Sequence, residues 1–424
     1  MSAASQKAVA TVWRMESTRL IGGLMRLVRD LSLAEDLAQD ALVAALEQWP
    51  ANGVPDNPGA WLMAAAKHRA IDRLRRNDMA QRKHDELGVE HELQQLLQAP
   101  DSDALDDSVG DDVLRLIFIA CHPVLSSEAR AALTLRLIAG LQTDEIARAF
   151  LQSEPTIAQR IVRAKRSLSA ANVPFELPPA GELAQRLSSV LAVIYLIFNE
   201  GYAATAGDDL MRPQLCEEAL RLGRILVALM PREAEAHGLL ALMEIQSSRT
   251  AARVDGRGEP VLLLDQDRAR WDQLLIRRGL AGLQRAEDLG GALGPYALQA
   301  AIAACHARAR AAADTDWLRI AALYGALAQV LPSPVVELNR AMAVAMAFGP
   351  ASGLVIADAL QDEPTLQNYH LLPSVRADLL AKLGRRDEAA AEFRRAAALT
   401  RTLREQAQLQ RRAAECLQRP ATDA

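Results

Sequence analysis

The chain is predicted to be all-α, on three observations. Aromatic residues make up only 4% of its 424 positions, while alanine and leucine abound, side chains that lose little freedom in a helix. Apolar residues recur at helical spacing through most of the chain, and no run keeps the strict alternation of a half-buried strand. The breaks between these runs carry proline, glycine and acidic residues. A chain of this length is expected to divide into several domains.

Charge marks the divisions. Residues 1–83 hold 12 Lys/Arg against 9 Asp/Glu; residues 84–112 hold no Lys/Arg and 10 Asp/Glu; residues 113–171 hold 8 against 4. Two basic blocks flank an acidic strip, a pattern suited to two surfaces for a polyanion, though solvated helix faces would read the same way. The expected domains are 8–83, a linker over 84–110, 111–171, and a long helical extension over 181–418, entered through the proline-rich stretch Pro174–Pro179. Cys121, Cys216, Cys305 and Cys416 lie far apart without metal spacing and are read as reduced thiols. The start of the chain lacks the apolar core of a signal peptide, and Val190–Phe198, the longest apolar run, is about half the length of a membrane span. The expectation is a cytoplasmic protein with no membrane partner. No phosphate loop, metalloprotease motif or nucleophile elbow occurs, so neither an enzyme nor a cofactor is expected.

In the first block, Ser32-Leu33-Ala34-Glu35 has the pattern of a capping box and should open a helix running to about Trp49. Leu33, Leu37, Ala41 and Ala45 share its inner face; Asp36 and Asp40 fall on another, with Gln39 beside them. Residues 49–58, rich in Pro, Asn and Gly, are expected to form a loop. A second helix should begin near Gly59 and run through Arg76, burying Leu62, Ala66, Ala70 and Leu74. Arg69, Arg73 and Arg76 share another of its faces, with Lys67, His68 and Arg75 nearby, a placement that suits a phosphate backbone.

In the second basic block, an apolar helix over Leu133–Leu141 is expected to end at Gly140. Thr143 should cap a second helix and Ser153 a third, with Pro155 tolerated in its first turn. Ile157, Ile161 and Leu168 would anchor the third helix, leaving Gln159, Arg160, Arg163, Lys165 and Arg166 outward. That is the layout of a recognition helix.

Ala34–Asp40 followed by Ala60–Arg76 closely resembles region two of bacterial sigma factors, most of all the extracytoplasmic-function (ECF) branch, and Thr156–Arg166 resembles region four of the same family. The resemblance implies that Asp36, Gln39 and Asp40 dock on the β′ clamp helices of core RNA polymerase. It implies that the 49–58 loop captures an unpaired promoter base, and that Trp61, Lys67, Arg69, Arg73 and Arg76 support strand opening; for Trp61, core packing is an equal alternative. Ser153, Glu154, Thr156, Gln159, Arg160, Arg163 and Arg166 would face the upstream promoter element. Leu151 stands where the family's turn usually has glycine, and Ala158 where lysine is common. The rival readings are a helix-turn-helix repressor and a repeat scaffold tethered to DNA, neither of which needs the Asp36, Gln39 and Asp40 face.

The extension carries one clear unit, Ala377–Ala396, whose Ala377, Leu380, Gly384, Ala389, Phe393 and Ala396 match the tetratricopeptide (TPR) pattern. Weaker echoes occur at Ala219, Leu226 and Pro231 and at Ile320, Tyr324, Leu327 and Pro332. About four to six degenerate repeats are expected, with a protein partner. Phe198–Tyr202 and Asp265–Trp271 are polar marks in apolar surroundings that resemble signatures of the ECF subgroup with such an extension. Capping, salt bridging and ligand binding all remain open for them.

Overall fold

The computed structural model describes residues 3–81, 105–150, 152–202, 211–256, 261–400 and 403–418. These form eighteen α-helices and five short 3₁₀ turns, with no strand among the described residues. They fall into two compact units, 1–196 and 197–424.

Unit 1 begins with α1 (Ala3–Val28), α2 (Leu31–Asn52) and α3 (Pro58–Gln81), which pack on one another. Its second half is α4 (Leu105–Ala120), α5 (Ser127–Leu137), α6 (Thr143–Ala149) and α7 (Glu154–Ala170). The expected linker over 84–110 lies mostly outside the described residues. α2 buries Leu37, Ala41 and Ala45 completely, and α3 buries Leu62, Ala66 and Ala70, as the four-residue spacing requires.

Four expectations about helix ends are corrected. α2 is capped by Asp30, whose Oδ1 accepts from the Leu33 backbone N–H at 2.8 Å. With the helix start satisfied two positions earlier, Glu35 is free for other partners. α2 also continues through Pro50 to Asn52, so the loop shrinks to residues 53–57. So close to the helix end, the missing Pro50 N–H forfeits one bond, and Gly53 at φ +83° closes the turn by donating to the Trp49 carbonyl at 2.9 Å. In the second half, α5 starts at Ser127 under a Ser126 cap and stops at Leu137, before Gly140 at φ +70°. α6 is capped at Gln142, whose backbone N–H donates to Glu145 Oε2 at 2.8 Å, and Thr143 is already inside the helix.

The border between units falls within α8 (Ala180–Tyr202). Its first part belongs with the second half of unit 1: Arg186 donates to the Phe118 carbonyl at 3.2 Å, and Ser189 Oγ to the Cys121 carbonyl at 2.7 Å. By length and composition α8 is the one helix among the described residues long and apolar enough to span a membrane. Yet Val190, Leu191, Val193, Ile194, Ile197 and Phe198 are all buried inside the protein, the pattern of a core helix.

Unit 2 continues with α9 (Pro213–Leu229), α10 (Ala234–Ser247), α11 (Gln273–Asp288), α12 (Pro295–Arg308), α13 (Trp317–Val330), α14 (Pro334–Phe348), α15 (Pro350–Asp358), α16 (Leu371–Lys382), α17 (Arg386–Leu399) and α18 (Leu403–Gln418). Most pack mainly on their neighbours in sequence, and α12 packs chiefly on α10, one helix further back; contacts this local are those of a stack of helical pairs. In the 377–396 unit, Gly384 at φ +77° turns the chain between α16 and α17. Ala377, Phe393 and Ala396 close one core with Leu409 and Ala413 of α18.

Candidate nucleic-acid and polymerase interface

The helix-turn-helix is α6 and α7. Ser153 caps α7, accepting from the Thr156 N–H at 3.3 Å, and the two hydroxyls lie 2.7 Å apart. Pro155 occupies the first turn, where no N–H is needed. Ile157, Ile161, Ala164 and Leu168 are buried against unit 1. Ser153, Glu154, Thr156, Gln159, Arg163 and Arg166 are exposed, and Arg160 is half-buried. The exposed face thus joins hydrogen-bonding groups near the helix start to cations further along, the order in which a groove-entering helix meets base edges and then phosphates.

Lys165 departs from the expectation. It is not an outward cation: its ammonium pairs with Glu35 of α2. Arg136 of α5 binds the same carboxylate, Nε to Oε1 at 2.7 Å, and also reaches Gln142 Oε1 at 2.8 Å. Glu35 is 4% exposed. Burial works against its charge, but Lys165 and then Arg136 outweigh it and hold the carboxyl below its ordinary range. The two halves of unit 1 are further joined where Thr18 Oγ1 donates to the Ile138 carbonyl at 3.0 Å and where Arg26 pairs with buried Asp112 at 2.8 Å.

On α2, Asp36 is exposed, while Gln39 and Asp40 are half-buried. Gln39 Nε2 donates to Glu35 Oε1 at 3.1 Å. Arg69 of α3 donates to the Asp40 backbone carbonyl at 2.5 Å and lies 3.5 Å from its carboxylate, so this cation braces α2 against α3. Lys67 is half-buried. Half-buried Trp61 meets buried Trp49 edge-on, 5.4 Å between centroids. The side chains of Arg73 and Arg76 lie outside the described residues. The Glu35, Arg136 and Lys165 triad escaped the sequence reading; the one available signal was Asp30, a second candidate cap just ahead of Ser32.

Two helical modules follow one another, the second holding the helix-turn-helix, and the family matches to them define a transcription initiation factor of the sigma-70 class. Residues 13–79 match a family model for sigma-70 region 2, and residues 115–168 one for sigma-70 region 4. Residues 186–287 match a family of unknown function, DUF6596. The chain is 42% identical to an uncharacterized protein of Rhizobium meliloti (strain 1021), over 95% of this chain and 94% of that protein. It is 24% identical over 172 residues to the probable ECF RNA polymerase sigma factor SigI of Mycobacterium tuberculosis, covering 41% of this chain and 58% of that one. It is 27% identical over 162 residues to the ECF RNA polymerase sigma factor SigK of Mycobacterium sp. (strain KMS), covering 36% and 77%. No solved structure matches. The chain belongs to the ECF sigma factors and carries a C-terminal helical domain beyond the two sigma regions.

Proposed function

We propose that the protein binds core RNA polymerase through the exposed face of α2 and directs it to promoters that α7 reads. Sigma region two would span 8–83, a linker 84–110 and region four 111–171, with the cytoplasm as site of action. The observation that carries this reading is the pairing of the two sigma-70 regions, in order, with a capped α7 whose Gln159, Arg163 and Arg166 are exposed. Chemistry would belong to the polymerase. The decisive test is a pull-down with core polymerase followed by run-off transcription from promoter DNA. Retention and a discrete transcript are expected; a chain that binds DNA but never core polymerase is a repressor instead.

Arg163, exposed on α7, is assigned to the upstream element by base or phosphate contact. Arg163→Ala is expected to weaken promoter binding and, for a phosphate contact, to lower the slope of log affinity against log salt by about one. An unchanged affinity and slope in a salt titration would remove Arg163 from the interface. Half-buried Arg160 is assigned the same way and is expected to follow it.

The helical pairs of 181–418 are read as TPR-like repeats that regulate initiation through a protein partner. Because Arg186 and Ser189 anchor α8 to unit 1, a truncation should stop after Leu196 and not after Ala171. At matched protein levels the shortened chain is expected to alter reporter output from its promoter; equal output under all conditions tried would separate the extension from initiation.

A further inference from the structure

The two polar segments at 198–202 and 265–271 meet in unit 2. Tyr202 stacks on Phe198, with centroids 5.5 Å apart. Arg253 lies over the Tyr202 ring, its Cζ 3.8 Å from the centroid, and donates to the Tyr202 carbonyl. Arg268 Cζ stands 5.0 Å from the centroid of buried Trp271. Between the two rings sits Arg249, with Cζ 5.9 Å from each centroid.

Three guanidinium groups therefore crowd one locus; among the described residues none of them makes an ion pair, although the Asp314 carboxylate acts on Arg268 from further off. Arg268 uses its terminal nitrogens on the His306 and Ala309 carbonyls, at 2.5 and 2.8 Å, and on Thr315 Oγ1 at 3.1 Å. Arg249 makes no side-chain hydrogen bond, although its Nε is fully covered. Buried polar atoms lacking a partner occur on the residues of this cluster: Arg249 Nε, Arg268 Nε, Trp271 Nε1 and His306 Nδ1. Burial, reinforced by Arg249 and then Arg268, pushes the His306 imidazole down to about 4 and leaves it neutral. Burial likewise lowers Arg253 and Arg268.

Unpaired buried charge is costly, and so is a buried donor left empty. Structural arginines normally end on carbonyls or carboxylates; Arg253 and Arg268 do, and Arg249 does not. Half-buried Arg249 makes only long cation–π contacts, 5.9 Å from each ring centroid, and these leave its donors unspent. We propose that this locus, within the matched family of unknown function, binds the phosphate group of a small molecule, with Arg249 supplying the bidentate fork. Phosphate fits better than carboxylate because a dianion offsets more of three positive charges, and because the guanidinium fork matches two of its oxygens.

The test uses the full chain, with inorganic phosphate as probe and acetate and chloride as controls at equal ionic strength, read by thermal unfolding and calorimetry. Phosphate is expected to raise the melting temperature progressively with concentration, as a ligand of the folded state must, and acetate and chloride much less. Arg249→Gln should weaken phosphate binding by about tenfold or more through loss of a charge-assisted fork, while its melting temperature without phosphate is not lowered. Arg249→Lys, which keeps the charge and loses the fork, should also bind more weakly than the unaltered chain. Exposed Arg277→Gln should behave as the unaltered chain does. A phosphate monoester binding more tightly than inorganic phosphate assigns the source to a phosphorylated metabolite; equal affinity assigns it to free phosphate. The proposal fails if the unaltered chain shows no phosphate-dependent shift, if acetate matches phosphate, or if Arg249→Gln keeps the shift. It fails also if Arg249→Gln and Arg249→Lys both destabilise the chain without ligand, or if duplex DNA displaces the probe.

Discussion

Replacing Glu35 with alanine is expected to cost unit 1 about 3–5 kcal/mol, the usual penalty for stripping one partner from a buried charge cluster. Arg136 and Lys165, whose side chains are only 12% and 15% exposed, would face each other with no anion between them. The region-four half is then expected to loosen from the region-two half, which it would still meet through the packing of α1 on α4, the Thr18 hydrogen bonds and the Arg26–Asp112 pair. Chemical unfolding gives the stability, and energy transfer between labels at Asp56 and Asn172 gives the separation. Lys165→Met should cost less, because Arg136 still pairs with Glu35. Acid adds a second signature. A carboxyl whose folded-state value is depressed contributes its full stability above the ordinary value of 4.5 and loses it as pH falls through the lower folded value. Asp112 has the opposite sign: burial raises its value against Arg26 and Arg115, so it favours the folded state as pH falls. The Glu35 contribution is therefore the difference between the unaltered and variant curves, and that difference should shrink in acid. Equal stability and an unchanged label distance would show that the triad holds nothing together.

Asp36→Arg is expected to reduce affinity for core polymerase by about a hundredfold or more, since like charges brought together across an interface cost several kcal/mol. Asp36 is the clean position for this test. It is exposed and makes no ion pair among the described residues. Asp40, by contrast, is braced by Arg69, so Asp40→Arg would oppose a cation inside the protein as well as outside. Adding it should deepen the loss but confound the cause. Circular dichroism of Asp36→Arg should match the unaltered chain, and polymerase binding at full strength would take α2 out of the docking surface.

The parts of this fold that were legible in the sequence are those set by one helix at a time. The four-residue spacing of Leu62, Ala66 and Ala70 states which face is buried, and Ser153 with Pro155 states where α7 starts, because both depend on local geometry. Helix ends were harder where two residues competed for one task, as Asp30 and Ser32 did at the start of α2. What periodicity does not encode is which face meets which. Lys165 has the spacing of a solvent-facing cation, and only the packing of α7 near α2 turns it inward onto Glu35. The Tyr202, Arg249, Arg253, Arg268 and Trp271 cluster was half visible: two of its segments stood out as polar marks, but the arginines between them had no pattern to distinguish them from surface charges.

The carboxylate that Lys165 grips lies one residue from Asp36 on the helix assigned to polymerase, while Lys165 itself belongs to the helix assigned to DNA. Asp36 and the outer face of α7 are both exposed while Glu35 holds its two cations, so a ligand on either helix reaches the other only by strengthening or weakening that pairing. By thermodynamic linkage any such coupling is reciprocal, and a factor by which polymerase changed affinity for promoter would equal the factor by which promoter changed affinity for polymerase.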